Sequence, residues 1–243
     1  MADTVSGSPT NGALPISLSI VVPCYNEEEG LEPTVRGLME SLAGVIADYE
    51  IIVINDKSSD RTAEIADRLA REIPKVRVHH NEVNIGLGFN YRKGFQLATK
   101  EYVILVPGDN ELQPDSVKYI CGFAGRADII VSYPENFRIR PLVRRIASTG
   151  FTGIVNGISG NNLRYYNGTV LQRRDNLLKV ASVTNGFAFQ AEILLQQLRA
   201  GATYHEVPFQ LNFSSKRMTA FRLKNVVSVV STLVRLGVRH RLR

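Results

Sequence analysis

The chain of 243 residues contains no tryptophan, two cysteines and four histidines. Cys24 and Cys121 stand far apart, with neither a Cys-x-x-Cys nor a Cys/His spacing. That excludes a disulfide framework and a zinc-ribbon site, and it fits a reducing, cytosolic setting. His79, His80, His205 and His240 show no ligand spacing either, so no metal role is assigned to them. No apolar run reaches the ~20 residues that a membrane-spanning helix needs, and no charged-then-apolar segment opens the chain. Two common phosphate-binding loops are missing as well. No GxGxxG follows the first expected strand, and no GxxxxGK[ST] occurs anywhere.

Acids are missing from one long stretch. Residues 1–135 carry 12 Lys and Arg against 20 Asp and Glu, whereas residues 136–243 carry 17 against 3. Between Asn136 and Arg174 there is no acid at all, yet seven arginines occur. An excess segregated in this way is suited to a polyanion, an anionic membrane surface or a phosphorylated substrate.

What is present is an alternation of short apolar runs and helical patterns. Strands are expected at Ser17–Val22, Glu50–Ile54, Val76–His80, Tyr102–Val106 and Asp128–Tyr133. Helices are expected at Gly30–Leu42, Ser59–Glu72, Gly88–Thr99 and Pro114–Phe123. Apolar strands separated by helices predict an α/β fold with a parallel sheet covered on both faces. Residues 1–15, small and polar with Gly and Pro, read as a disordered leader. Residues 218–243 have an apolar centre of about ten residues with basic ends, too short to span a bilayer. They read as a basic amphipathic helix that either packs on the sheet or lies on a membrane surface. The domain itself is expected over residues 16–217.

In such sheets ligands bind beyond the carboxyl ends of the strands. The segments there are "PCYNEEEG", "NDKSSD", "NEVNIGLG" and "PGDNE", all predicted to share one rim. The last places Asp109 and Glu111 two positions apart. Gly, Asp and Asn are turn formers and Pro114 suits the first turn of a helix, so the pair has an ordinary structural reading. Two carboxylates so spaced can also offer oxygens to one hard divalent cation, which then holds phosphates.

Four segments decide between these readings. "SIVVPCYNEEEGL", "IIVINDKSSDRTAEIA", "NIGLGFNYRKGFQLA" and "YVILVPGDNELQPDSV" follow in the order and spacing of family 2 glycosyltransferases, which the chain resembles over roughly Ser17 to Asp128. The resemblance implies a GT-A, Rossmann-like fold: a mostly parallel sheet flanked by helices, here with a basic C-terminal helical extension. It also implies roles. Pro23, Tyr25, Asn26 and Glu27 would hold the nucleotide, Asp56 would accept a base N–H, and Gln113 would complete the donor site. Asp109 and Glu111 would bind Mg²⁺ or Mn²⁺ and through it the donor diphosphate. Asn55, Lys57 and Glu111 depart from the family's usual Asp, Gly and Asp at their positions; Glu still suits a hard cation, while the other two change the groups at the base-binding loop.

The second half is similar, more loosely, to the polyprenyl-phosphate sugar synthases, through "ENFRIRPLVRRIAS", "LRYYNGTVLQRR" and "GATYHEVPFQLNF". By that resemblance Arg138, Arg140, Arg144 and Arg145, with Lys216 and Arg217, would grip an acceptor phosphate, a task for which guanidinium is well shaped. Arg138 and Arg144 would act with Asp109 and Glu111 in catalysis. "YYNG", Tyr165 to Gly168, reads mainly as a structural turn. The glutamine–arginine–tryptophan motif of polymerising members is absent, as is their Glu-Asp catalytic base. The expectation is an inverting transferase moving one sugar from a UDP- or GDP-sugar to a polyprenyl phosphate, peripheral on the cytosolic face of a membrane, with no nucleic-acid partner. A soluble saccharide or protein acceptor is the rival, and an inactive nucleotide-binding scaffold a third reading.

Overall fold

The structure, a computed structural model, describes residues 12–210 except 182, 183, 185 and 187. Strand β1 (Ser17–Cys24) leads to helix α1 (Leu31–Leu42), β2 (Asp48–Asn55) to α2 (Thr62–Glu72), and β3 (Val76–His80) to α3 (Leu87–Leu97). Strand β4 (Tyr102–Leu105) leads to α4 (Pro114–Cys121), and β5 (Ile129–Pro134) to a 3-10 turn (Phe137–Ile139) and the long helix α5 (Leu142–Ser159). After these come β6 (Val170–Arg173), α6 (Arg174–Leu178), α7 (Phe189–Arg199) and β7 (Tyr204–Phe209).

The seven strands form one sheet in the order β3-β2-β1-β4-β6-β5-β7. Side chains alternate between its faces, as the pleat requires. Leu18, Ile20, Val22, Ile51, Val53, Ile104 and Val106 fill the core on one side. Val21, Ile52, Ile54, Val103 and Leu105 fill it on the other. This double burial is why these strands are apolar throughout rather than alternately polar. Leu14, within the expected leader, is buried and donates its N–H to the Val45 carbonyl.

Each strand and helix expected between Ser17 and Tyr133 is found within three residues of its expected ends. One feature of the sheet was not anticipated. Strand β5 does not lie beside β4: β6 enters between them and runs antiparallel to both, while β5 pairs in parallel with β7. A parallel strand needs a crossover to the far end of the sheet. The segment from 135 to 169 makes no such crossover; it leaves β5 at the carboxyl rim and returns to that rim. Hence the acid-free, arginine-rich stretch is held on the same edge as the acidic loops.

Candidate active site

Two loops at the rim are laced together by side chains. The Asn26 Oδ1 accepts from Ser59 N at 2.8 Å, and the Ser58 Oγ accepts from Asn26 N at 3.0 Å. The Glu27 N–H donates to Thr62 Oγ1 at 2.8 Å, and the Glu28 N–H donates to Asp60 Oδ2 at 3.2 Å. Desolvation pushes the Asp60 carboxyl up, but hydrogen bonds from Thr62 and Glu28 outweigh it and leave it below the ordinary aspartate value. Negative charge is concentrated here. The Cys24 thiol, at the end of β1, is pushed up to about 12, first by burial and then by Glu27, Asp60 and Asp56.

Among the described residues, the three non-glycine residues with positive φ are Asn26 at 57°, Lys57 at 59° and Asn110 at 58°. All three fall in this rim, after β1, β2 and β4. Asn tolerates the left-handed region, but Lys does so at a cost of roughly 1–2 kcal/mol. The backbone at Lys57 therefore keeps the glycine-like shape that the family's usual residue would adopt freely.

Asp56 is buried, at 2 % exposure. Its Oδ1 accepts from the Ile85 N–H at 2.8 Å and from Asn81 Nδ2 at 2.8 Å, and its Oδ2 accepts from the Gly86 N–H at 2.9 Å. The carboxylate thus shapes the loop between β3 and α3 from beneath. Pro23 is buried within β1, and its carbonyl accepts from the Gly108 N–H at 3.1 Å. Tyr25, by contrast, is 51 % exposed at the mouth. Asn81, which also donates to Asn90 Oδ1 at 2.7 Å, is a rim residue with no role assigned from the sequence. Only its place after β3 marked it.

The loop after β4 carries the acid pair. Asp109 Oδ1 accepts the Glu111 N–H at 3.0 Å, and the Asn110 N–H donates to the buried Thr34 Oγ1 at 3.1 Å. A Cβ at Gly30 would lie 2.6 Å from the Gly108 carbonyl oxygen and 2.9 Å from Asp109 Cα. Only glycine lets the start of α1 approach so closely, and that approach fixes the backbone beneath Asp109. Gln113 precedes α4 in extended conformation, with Pro114 opening the helix.

The arginines divide. Arg144 Nη2 lies 3.5 Å from Glu111 Oε2, a direct link from the basic segment to the acid pair. Arg140 Nη1 donates to Tyr165 Oη at 2.7 Å, and its guanidinium lies about 6 Å from the rings of both Phe137 and Tyr165. The Nε atoms of Arg140 and Arg145 are buried with no hydrogen-bond partner among the described residues. Arg138 is exposed and forms no ion pair among the described residues. The "YYNG" bend is structural at Tyr166, which is fully buried with its hydroxyl donating to Asn156 Oδ1 at 2.7 Å. A Cβ at Gly168 would meet the Ser132 carbonyl at 2.0 Å. Tyr165, however, orients Arg140, a role the sequence alone did not suggest. Lys216, Arg217 and the expected helix over 218–243 lie outside the described residues, as do residues 1–11 of the expected leader.

No group of three or more His, Cys, Asp or Glu able to hold an ion occurs among the described residues. Asp109 and Glu111 offer two carboxylates on one short loop after β4. This suits a small hard cation that takes one or two carboxylates and completes its shell with phosphate oxygens and water. It does not suit a soft or all-protein site.

A family model described as glycosyl transferase family 2 matches residues 19–189, well over half of the chain. The chain is a family 2 glycosyltransferase. Among curated proteins it is 30% identical over 206 residues to glycosyltransferase AglD of Haloferax volcanii, covering 79% of this chain and 32% of that protein. It is 28% identical over 152 residues to the undecaprenyl-phosphate 4-deoxy-4-formamido-L-arabinose transferase of Pectobacterium carotovorum, covering 62% of this chain and 46% of that one. It thus spans less than half the length of these relatives. Among solved structures, glucosyl-3-phosphoglycerate synthase from Mycobacterium tuberculosis with UDP superposes with a TM-score of 0.70 at 17% identity, covering 92% of this chain and 80% of that one. The same enzyme with Mn²⁺, UDP and glucosyl-3-phosphoglycerate gives a TM-score of 0.66 at 16% identity, covering 93% and 80%. The fold of this family 2 enzyme is therefore GT-A, as its sheet order and its rim of loops indicated. No helix among its described residues is long and apolar enough to cross a membrane.

Proposed function

We propose that this glycosyltransferase moves one sugar from a nucleotide diphosphate, UDP or GDP, to the phosphate of a polyprenyl phosphate, with inversion, at the cytosolic face of a membrane. The observation that carries the reading is the contact of Arg144 with Glu111 at 3.5 Å, where the acidic rim meets the acid-free, arginine-rich segment. Donor and acceptor groups of opposite need are thereby brought to one mouth.

The donor side consists of Tyr25, Asn26, Glu27, Asp56, Asp109, Glu111 and Gln113. Tyr25, exposed, would stack on the base, while buried Asp56 and Pro23 would shape the floor from below. Asp109 and Glu111 would hold Mg²⁺ or Mn²⁺, whose charge neutralises the leaving diphosphate when bound. On the acceptor side, Arg140, Arg144 and Arg145 orient a phosphate monoester, and Arg138 adds positive potential at the entrance. A lone pair on the acceptor oxygen forms the new bond to the anomeric carbon. The bond from that carbon to the donor diphosphate breaks, and its electron pair leaves with the nucleotide. The nucleophile is already an anion, so proton removal by a base is not required. The arginines supply orientation, which is the larger need in a displacement of this kind.

Support for the acceptor comes from a relative whose name specifies undecaprenyl phosphate. Support for the donor and cation comes from a structural neighbour crystallised with Mn²⁺ and UDP. A soluble phosphorylated acceptor is the second reading, favoured by the same neighbour's crystallisation with phosphoglyceric acid. Release of nucleotide from a panel of UDP- and GDP-sugars, measured with a short polyprenyl phosphate and with soluble acceptors, separates the two. Turnover only with a soluble acceptor would remove the first.

A further inference from the structure

Helix α5 presents to solvent a side that bears no charged residue. Leu142, Val143, Ile146 and Ile154 are 63%, 57%, 64% and 51% exposed. Between them Ala147, Thr149, Gly150, Gly153 and Gly157 are exposed as well. At 3.6 residues per turn these nine positions fill an arc of about 160°. Half-buried Arg144 and Arg145 border that arc, one on each side, and the opposite side packs inward through Thr152 and Val155. Ile139, in the turn before the helix, is also exposed, whereas the other exposed large apolar residues are scattered over separate elements.

We propose that this face of α5 docks on an anionic lipid bilayer. The inference deepens the polyprenyl-phosphate reading, on which its purpose rests but not its test. An uncharged face edged by cationic side chains is the pattern of a helix lying in a membrane interface, with apolar side chains among the acyl chains and arginines at the phosphates. Charge selects this occupant over two others. A second copy pairing α5 with α5 would bring two sets of Arg138, Arg140, Arg144 and Arg145 together, in a stretch that has no acid from 136 to 174. The chain's own residues 211–243 follow Gln210, whose side chain donates to Glu135, just ahead of the turn into α5. Yet those residues hold eight Lys and Arg and no acid. Laying them over α5 would again oppose like charges, whereas anionic headgroups neutralise both segments. Docking through α5 brings headgroup level to the mouth where Arg144 meets Glu111, so a lipid phosphate reaches the arginines without leaving the interface.

The absence of tryptophan supplies the test. In the full-length chain, Ile146→Trp reports on α5 and Leu178→Trp, on α6, reports on an exposed apolar position away from it. With vesicles of phosphatidylcholine and phosphatidylglycerol, the emission of the first variant shifts to the blue and that of the second does not; phosphatidylcholine alone gives a much smaller shift. Leu142→Asp combined with Ile146→Asp lowers co-sedimentation with anionic vesicles about tenfold or more, since two apolar anchors are lost, while the melting temperature stays unchanged because both residues are exposed. Three results would overturn the proposal: no shift at position 146 with anionic vesicles, a shift that follows protein concentration without vesicles, or an emission already blue and unmoved, which would show the face covered within the chain. A shift at 146 combined with no transfer to polyprenyl phosphate would leave the docking standing and remove the acceptor reading. Transfer to the detergent-dispersed acceptor without a shift would do the reverse.

Discussion

The acidic and basic parts of the molecule solve opposite problems. From β1 to α4, the rim loops are tied to one another: Asn26 to Ser58 and Ser59, Asp56 to Asn81, Ile85 and Gly86, Asn110 to Thr34. From the Phe137–Ile139 turn through α5, Arg140 and Arg145 keep buried Nε atoms unpartnered among the described residues, and apolar side chains face solvent. A buried donor left unpaired costs about 1–3 kcal/mol. The first region is preorganised by its own hydrogen bonds; the second leaves buried donors and exposed apolar side chains unsatisfied among the described residues. The contrast fits the proposed roles, a donor site built by internal hydrogen bonding and an acceptor site completed from outside.

The largest effect that would sharpen this contrast is at Asp109. Asp109→Ala is expected to lower kcat about a thousandfold or more, because several kcal/mol of charge stabilisation at the leaving diphosphate depend on it. Circular dichroism should show the fold retained, and activity near that of the original chain would break the account. Next comes Gly30→Ala, whose methyl would collide with the Gly108 carbonyl and Asp109 Cα. Overpacking of this kind costs about 1–3 kcal/mol. Denaturant unfolding should show that loss, accompanied by weakened donor binding. The same methyl at Gly153 on α5 meets nothing within 4 Å and should cost nothing.

A smaller effect concerns acid. Glu50, at the start of the donor half, is desolvated, which raises its pKa, but hydrogen bonds from Ser19 and Thr99 and the charge of Arg77 outweigh this and lower it below the usual value. The unfolded carboxyl titrates near 4.3, so the stabilisation is full above about that pH and is lost as pH falls toward the lower folded value. Thermal melts should therefore show a steepening loss below about pH 4, and Glu50→Gln should flatten it. The smallest effect is at Lys57. Lys57→Gly relieves the left-handed backbone but loosens the unfolded chain, so stability should change by less than about 1 kcal/mol. A several-fold rise in the donor KM would instead show that the lysine meets a donor phosphate.

The first half of the fold was legible because each of its strands is a doubly buried apolar run bounded by turn residues, and β-α alternation leaves little choice of topology. Beyond Pro134 the signals fade. Strand β6 is four residues long and ends in Gln172 and Arg173, and its antiparallel entry is set by a return to the rim that no local pattern encodes. At the rim, the sequence already put Asp109 and Glu111 together on the loop after β4, where the structure has them. The burial of Asp56 and Pro23 was not, since residue identity does not say on which side of a loop a carboxylate will find its donors. Nor could the sequence separate the arginines: Arg140 is turned to Tyr165 and Arg144 to Glu111 by contacts that span 25 and 33 positions of chain.

The central claim is that the acid pair after β4 holds a divalent cation and through it a nucleoside diphosphate. Isothermal titration of UDP and GDP, with and without Mn²⁺, into the full-length chain and into Asp109→Ala tests it most directly. At least one of the two nucleotides should bind the original chain far more tightly with Mn²⁺ than without, and this difference should disappear in the variant. Equal binding with and without the metal, or a metal dependence that survives loss of Asp109, would contradict it.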